Sequence, residues 1–377
     1  MPTLDKWYVQ EDRDGDVVEP FFKYFRLDTS TMKAQWVRDI SDAKQDITWT
    51  QSVKWSGLKD TITLVATCAG VDQTQVFGFP IEEYYSNVPY LKSHLQKCIR
   101  RSNLALSLKT SLHLARLDFQ ALIRRLGIIV IEDVQLVPEY CTLIWLTAAT
   151  SKGYAMNKKQ VYWLFGLIAK LAMHPTREPA LGAEYDEELG GTPAQPLDLK
   201  GWKKWRLYKL DDVHKSIIQS ILFRESYGGM TGDKAMLIRA AHNWFNRFNK
   251  KDSTACGQDP YLAAFEEDRR KGAVYYISPP EENLEIHEWI VPAVDFHCVN
   301  NLIMILVDKY ESYEYAEIKE AIWHHSSKWS NKQILPTPRT ECHCKNEKKK
   351  EIATEKIWSR IRPECYGLAT YFLKNNY

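Results

Sequence analysis

The run PYLKSHLQKCIRRSNLALSLKTSLHLARLDFQALIRRLGIIVIEDV, residues Pro89–Val134, decides the reading of this chain. Leu91, Leu95 and Ile99 recur every fourth residue, and Leu104, Leu108, Leu112 and Ala115 renew the pattern. That is the stripe of an amphipathic helix packing one face inward. Arg101-Ser102-Asn103 fits the short break between two such helices. Asp118 stands where it would cap a third, carrying Phe119, Leu122, Ile123 and Leu126. The stretch therefore predicts a helical hairpin followed by one more helix.

Its charge is as unusual as its periodicity. Between Leu91 and Leu126 the chain carries Lys92, Lys97, Arg100, Arg101, Lys109, Arg116, Arg124 and Arg125 against Asp118 alone, whereas the formal net charge of the whole protein is only +2. A local cationic excess on an otherwise balanced chain can hold a polyanion such as a nucleic-acid backbone. The same residues also fit the solvated outer faces of core helices, because long basic side chains cover apolar surface with their stems.

Within this stretch LQKCIRR (Leu95–Arg101) and LIRRLGIIVIEDVQL (Leu122–Leu136) resemble the helical region behind the ATPase core of the MgsA/RarA family. That family comprises clamp-loader-like AAA+ proteins and includes the Werner-helicase-interacting ATPase. Gln96, Lys97, Ile99, Arg100 and Arg101 match its first element; Arg124, Arg125, Leu126, Glu132, Asp133 and Leu136 match its second. The similarity spans a tenth to a fifth of the chain. Nowhere does a strand run into GxxxxGK[ST], the loop whose amides cradle phosphates, so the ATPase engine of the family is missing. Gly228-Gly229-Met230-Thr231-Gly232-Asp233-Lys234 has glycines and a lysine at the wrong spacing and reads as a turn between two helices. The resemblance implies a helical adaptor associated with DNA replication or repair, without nucleotide hydrolysis.

At 377 residues the chain can bury a large core and divides into two or three units. Thirteen tryptophans suit a well-packed interior or a protein-binding aromatic surface. The cysteines at 68, 98, 141, 256, 298, 342, 344 and 365 lack the regular spacing of a disulfide framework and point to a reducing compartment, cytoplasm or nucleus. The start, MPTLDKWYVQEDRDGD, has no basic and apolar run of a secretory leader, and no apolar stretch is long enough to span a bilayer. A secreted or membrane protein is not expected.

The expected fold class is α+β, mostly α: a small N-terminal antiparallel β unit followed by a large helical bundle. Residues 1–88 hold the β-favouring runs Phe21–Phe25, Gln35–Val37, Ile47–Trp49, Thr61–Val65 and Gln75–Phe77 between turn formers. This unit carries 9 basic and 14 acidic side chains, which disfavours general single-strand binding by its aromatics. Residues 89–173 form a basic helical subdomain that ends in the all-round apolar helix of Val161–Ile168. Residues 174–200, with Pro175, Pro179, Pro193 and Pro196, read as a loop or linker. Residues 201–377 form a second helical subdomain, with Val213, Ile217, Ile218, Ile221 and Leu222 as one stripe and Met236 to Phe248 as the next. A basic loop is expected near 340–350.

Three further constellations bear on chemistry. Asp295, His297 and Cys298, with His324 one helix later, could serve a metal-assisted hydrolase or nuclease. Adjacent helical side chains point in different directions, however, so an N-cap at Asp295 with buried polar neighbours fits equally. Cys342 and Cys344, with Cys365 further on, supply part of a zinc site that still lacks a fourth ligand. Glu132-Asp133 closes an apolar run and reads as structural.

The favoured function is a non-catalytic adaptor that holds DNA, or docks on a DNA-processing complex, through Lys97, Arg100, Arg101, Arg116, Arg124 and Arg125, with no cofactor. The alternatives are the hydrolase and a structural assembly protein working through its aromatic surface. Oligomerisation is compatible with each.

Overall fold

The computed structural model describes residues 10–11, 17–18, 22–40, 47–55, 60–68, 88–176, 178, 207, 210–249, 259–272, 274–281, 299–327 and 341–374. These form six strands: β1 (Gln10–Glu11), β2 (Val17–Val18), β3 (Tyr24–Asp28), β4 (Lys33–Val37), β5 (Trp49–Trp55) and β6 (Asp60–Ala66). Ten α-helices follow among the described residues: α1 (Val88–Arg100), α2 (Leu104–Asp133), α3 (Tyr140–Thr150), α4 (Lys158–Met173), α5 (Asp212–Glu225), α6 (Thr231–Asn249), α7 (Pro260–Lys271), α8 (Val299–Lys309), α9 (Tyr315–Ile322) and α10 (Glu341–Lys374). A five-residue π-helix, Trp323–Ser327, continues α9. The α+β, mostly helical class is as the sequence indicated.

The chain divides into two compact units that interleave along the sequence. The first holds Met1–Gln73, Leu126–Gln160 and Leu181–Ala273; the second holds Thr74–Arg125, Val161–Ala180 and Val274–Tyr377. The boundaries expected at 88, 173 and 200 do not follow this division, because composition marks linkers whereas a unit is defined by contacts between distant segments. Most of 174–200 and the run Gln75–Phe77 lie outside the described residues.

In the first unit the sheet has the order β4-β3-β6-β5. Two antiparallel hairpins lie side by side, and the central pair β3–β6 is parallel, with Phe25 opposite Leu64. The sheet is thus mixed rather than antiparallel. Alternation within a strand reveals which side chains face inward, but not which non-local neighbour it pairs with.

The sheet is also not a separate front. The backbone amide of Ala34 donates to Thr142 Oγ1 on α3 (2.9 Å), whose hydroxyl donates in turn to the Met32 carbonyl (2.9 Å). The Trp36 amide donates to Ser216 Oγ on α5 (3.1 Å), and its indole to Ser220 Oγ (3.0 Å). Trp145 Nε1 on α3 donates to the Phe25 carbonyl (2.8 Å). Phe25 stacks on Trp36 at 4.2 Å, and Phe223 meets Phe25, Trp36 and Trp55 edge-on. All four rings are buried, so the tryptophans here are core.

The second unit includes α1, the first part of α2, most of α4 and the three C-terminal helices. Leu302, Ile303 and Leu306 of α8, Ile318 and Ile322 of α9, and Trp358, Ile361 and Cys365 of α10 make one apolar cluster. Gly166 on α4 is required by a close approach: a Cβ there would lie 1.6 Å from the Tyr275 carbonyl oxygen, and Ile277 donates its amide to the Tyr162 carbonyl one turn earlier (3.0 Å). The basic loop expected at 340–350 is instead the start of α10. Its lysines and glutamates are good helix formers, and neither glycine nor proline interrupts them. Gly228 and Gly229, both at positive φ, make the turn between α5 and α6 that the sequence indicated.

Thr142→Val should remove the partner of both the Ala34 amide and the Met32 carbonyl while conserving volume. The expected loss in urea denaturation is about 1–3 kcal/mol. A change below about 0.5 kcal/mol, the range of ordinary surface substitutions, would show that these bonds do not hold the sheet edge.

Candidate nucleic-acid interface

The hairpin forms as its sequence implies, and its turn is specified locally. Ser102 donates its amide to Ile99 (3.0 Å) and Asn103 to Cys98 (2.9 Å), with Ser102 at φ +57. This is the Schellman arrangement that ends a helix on a left-handed residue. Asn103 then caps α2, its side chain accepting from the Leu106 amide (3.1 Å). Inside α2, Asp118 leaves helical geometry (φ −154, ψ 92) and accepts from the Ala121 amide at 2.9 Å, so it caps a third helical segment.

Between α1 and α2 the buried contact is polar. His94 Nδ1 lies 2.8 Å from Thr110 Oγ1 and 3.5 Å from Cys98 Sγ. Burial pushes the Cys98 thiol well above its ordinary value, so it is not a nucleophile. Ser107, Thr110, Ser111 and Leu114 are buried, whereas Leu104 and Leu108 are only half-buried. Small polar residues therefore occupy the inward face of early α2 in place of part of the expected leucine stripe.

The six proposed binding residues all belong to the second unit but do not project together. Lys97 is 7% exposed and leaves the candidate surface, because every residue from Ser93 to Ile99 is buried. Arg116 is half-buried, and burial lowers its pKa. Arg101 is also half-buried; burial holds its guanidinium below the ordinary value, Tyr366 opposes this, and the neighbouring Arg100 pushes the same way as burial.

One contact joins the two helices. Arg125 Nη2 donates to Gln96 Oε1, tying the segment after Asp118 to the middle of α1. Gln96 precedes Arg100 by one helical turn on the same face, and Arg124, next to Arg125, is exposed. Arg100 thus stands one turn beyond the contact and Arg124 is exposed beside it, while the Arg125 guanidinium turns inward, with Nε buried. Sequence reasoning missed the role of Gln96. The four-residue spacing from Gln96 to Arg100 was the available signal.

The other constellations fare differently. Asp295, His297 and Cys298 lie outside the described residues. His324 is buried in the π-helix, its Nε2 3.1 Å from Glu320 Oε1. Cys365 is fully buried in the apolar cluster of α8–α10, packed with Ile361 and Trp358. The side chains of Cys342 and Cys344 lie outside the described residues. Among the described residues no three His, Cys, Asp or Glu side chains gather as a metal site, and no helix is long and apolar enough to cross a membrane. Asp133 is buried at the end of α2, consistent with a structural acid.

One titratable cluster escaped the sequence reading. His214 on α5 lies with Nε2 3.0 Å from Glu266 Oε1 and Nδ1 3.1 Å from Asp211 Oδ2, its ring stacked on Phe248 at 4.0 Å. Arg269 pairs with Glu266 (2.9 Å) and lies 3.6 Å from Asp211. The cluster fastens α7 to α5 and α6 within the first unit. Burial lowers the His214 pKa below its ordinary value, against the pull of both carboxylates.

No protein-family model matches the chain, and no curated protein or solved structure does so either.

Two outcomes are expected. Asn103→Ala should cost about 1 kcal/mol in denaturant unfolding through loss of the α2 cap; an unchanged midpoint would refute the capping role. Because the folded His214 pKa lies below the unfolded value of about 6.5, its contribution to stability is present above that pH and lost as pH falls through the folded value. His214→Gln should flatten the acid side of the melting temperature against pH, and a slope like that of the wild type would refute the assignment.

Proposed function

We propose that this protein is a non-catalytic nucleic-acid-binding adaptor whose contact surface is the arginine patch of α1 and α2. The observation that carries the reading is the Arg125–Gln96 bond. It ties the segment that carries Arg124 and Arg125 to the middle of α1, one turn before Arg100, so that the three arginines stand on two adjoining helices. Guanidinium groups carry charge at every physiological pH and match phosphate oxygens in a bidentate manner. The last turn of α1 contains Lys97 and Arg100, where the helix dipole also favours cations, so part of the charge serves the helix itself. Arg124 and Arg125 sit mid-segment and have no such role.

The likeness of Leu95–Arg101 and Leu122–Leu136 to the helical region of the MgsA/RarA family supports the same reading, and extends it to docking on a DNA replication or repair assembly. Nothing in the described residues adds weight to the hydrolase, since His324 is buried and bonded to Glu320.

Retention on nucleic acid should fall steeply between low and moderate salt, the signature of counterion release. The triple variant Arg100→Glu, Arg124→Glu, Arg125→Glu should lose at least about tenfold in affinity and show a shallower salt slope. Wild-type affinity in the triple variant, or binding indifferent to salt, would overturn the proposal.

A further inference from the structure

Two helices of the second unit keep large apolar side chains out of its core. On α8, Leu302, Ile303 and Leu306 enter the apolar cluster, whereas Asn300, Asn301, Met304, Ile305 and Asp308 are exposed on the opposite face. Met304 is 55% exposed and Ile305 38%. The Tyr315 hydroxyl donates to Asn300 Oδ1 at 2.9 Å, so the first turn of α9 meets the first turn of this face. That contact adds a ring which is itself 37% exposed. Asn300, Met304 and Asp308 stand at successive turns of α8, and the tyrosine, thioether and carboxylate therefore follow one another along one row.

The charge around the row is one-sided. Asp308 lies four residues after Met304 and three after Ile305, within side-chain reach of both. Exposed Glu311 and Glu314 follow in the turn to α9, and Glu317 in its first turn. The last two form a reciprocal capping box, which holds their carboxylates at the start of α9 without neutralising them. Lys309 is already paired with Glu364 at 2.7 Å, so Lys319 is left against these four acids.

Apolar area and charge together select the occupant. Methionine adapts its shape to a partner, and tyrosine offers a large rigid contact, as both do in protein interfaces. The acidic border repels the phosphates of nucleic acid and of anionic lipid. It also disfavours the same face of a second copy, because a two-fold contact would set each Asp308 against carboxylates of its own kind. A protein segment that is apolar on one side and cationic at its edges meets both requirements.

We propose that the α8–α9 face is a docking site for a basic amphipathic helix of a partner protein. Its apolar side covers Met304, Ile305 and Tyr315, and its lysines or arginines meet Asp308, Glu311 and Glu314. The site does not depend on the arginines of α1 and α2 and stands whether or not they hold nucleic acid.

The test uses the full chain and fluorescence anisotropy with a labelled leucine–lysine peptide of about 18 residues, patterned as an amphipathic helix, and a leucine–glutamate peptide of the same pattern. The leucine–lysine peptide should bind, more weakly as salt rises, and the leucine–glutamate peptide should not. Met304→Ser combined with Ile305→Ser should weaken binding at least about tenfold, and Asp308→Lys about threefold. Met230→Ser, which alters a still more exposed methionine in the first unit, should leave affinity unchanged. The substituted side chains are all exposed, so circular dichroism should match the wild type. Absence of binding, equal binding of the two peptides, wild-type affinity in the double serine variant, or an equal loss in Met230→Ser overturns the proposal. A dimer that sedimentation detects and the double serine variant dissociates overturns it too, since a second copy would then be the occupant.

Discussion

The free edge of β4 is the constraint on which the first unit depends. A strand edge buried under helices leaves amides that must find acceptors, since an unbonded buried group costs as much as a lost hydrogen bond. Thr142 and Ser216 supply those acceptors from α3 and α5, at 2.9 and 3.1 Å. Because the Thr142 hydroxyl also donates to Met32, one side chain fixes both the amide and the carbonyl side of the strand start. The helices can then close over Phe25, Trp36, Trp55 and Phe223 only in this register. A slip of one residue would turn the tryptophans outward and leave both hydroxyls facing the wrong groups.

How much of this was legible depended on whether the governing interaction was local. Asn103 and Asp118 were readable as helix boundaries because a cap is set by residues within one turn. Strands at 24–28, 33–37 and 60–66 were likewise close to the β-favouring runs. The parallel pairing of β3 with β6 was not readable, since it joins residues some forty positions apart. The helix at 341–350 differs for another reason: lysine-rich charge suits an exposed loop, but lysine and glutamate equally favour helix.

The candidate site was legible in charge and illegible in exposure. Counting arginines located the stretch, but helical periodicity assigns faces on the assumption of one buried side. The stretch Ser93–Ile99 is buried all round, so Lys97, which periodicity placed outward, lies inside. Arg125 was expected to project, and its guanidinium instead bonds back to Gln96. Neither outcome could be derived without the neighbouring segments.

That bond changes what the arginine can do. A free surface arginine loses much of its rotamer freedom when it grips a phosphate, which offsets part of the attraction. Arg125 is already restrained by Gln96 before any ligand arrives. Were a phosphate to be held there, that restraint would lower the ordering cost of the contact. The restraint on Arg125 depends in turn on the hairpin beneath it, whose helices are set against each other by the Ser102–Asn103 turn and the His94–Thr110 contact.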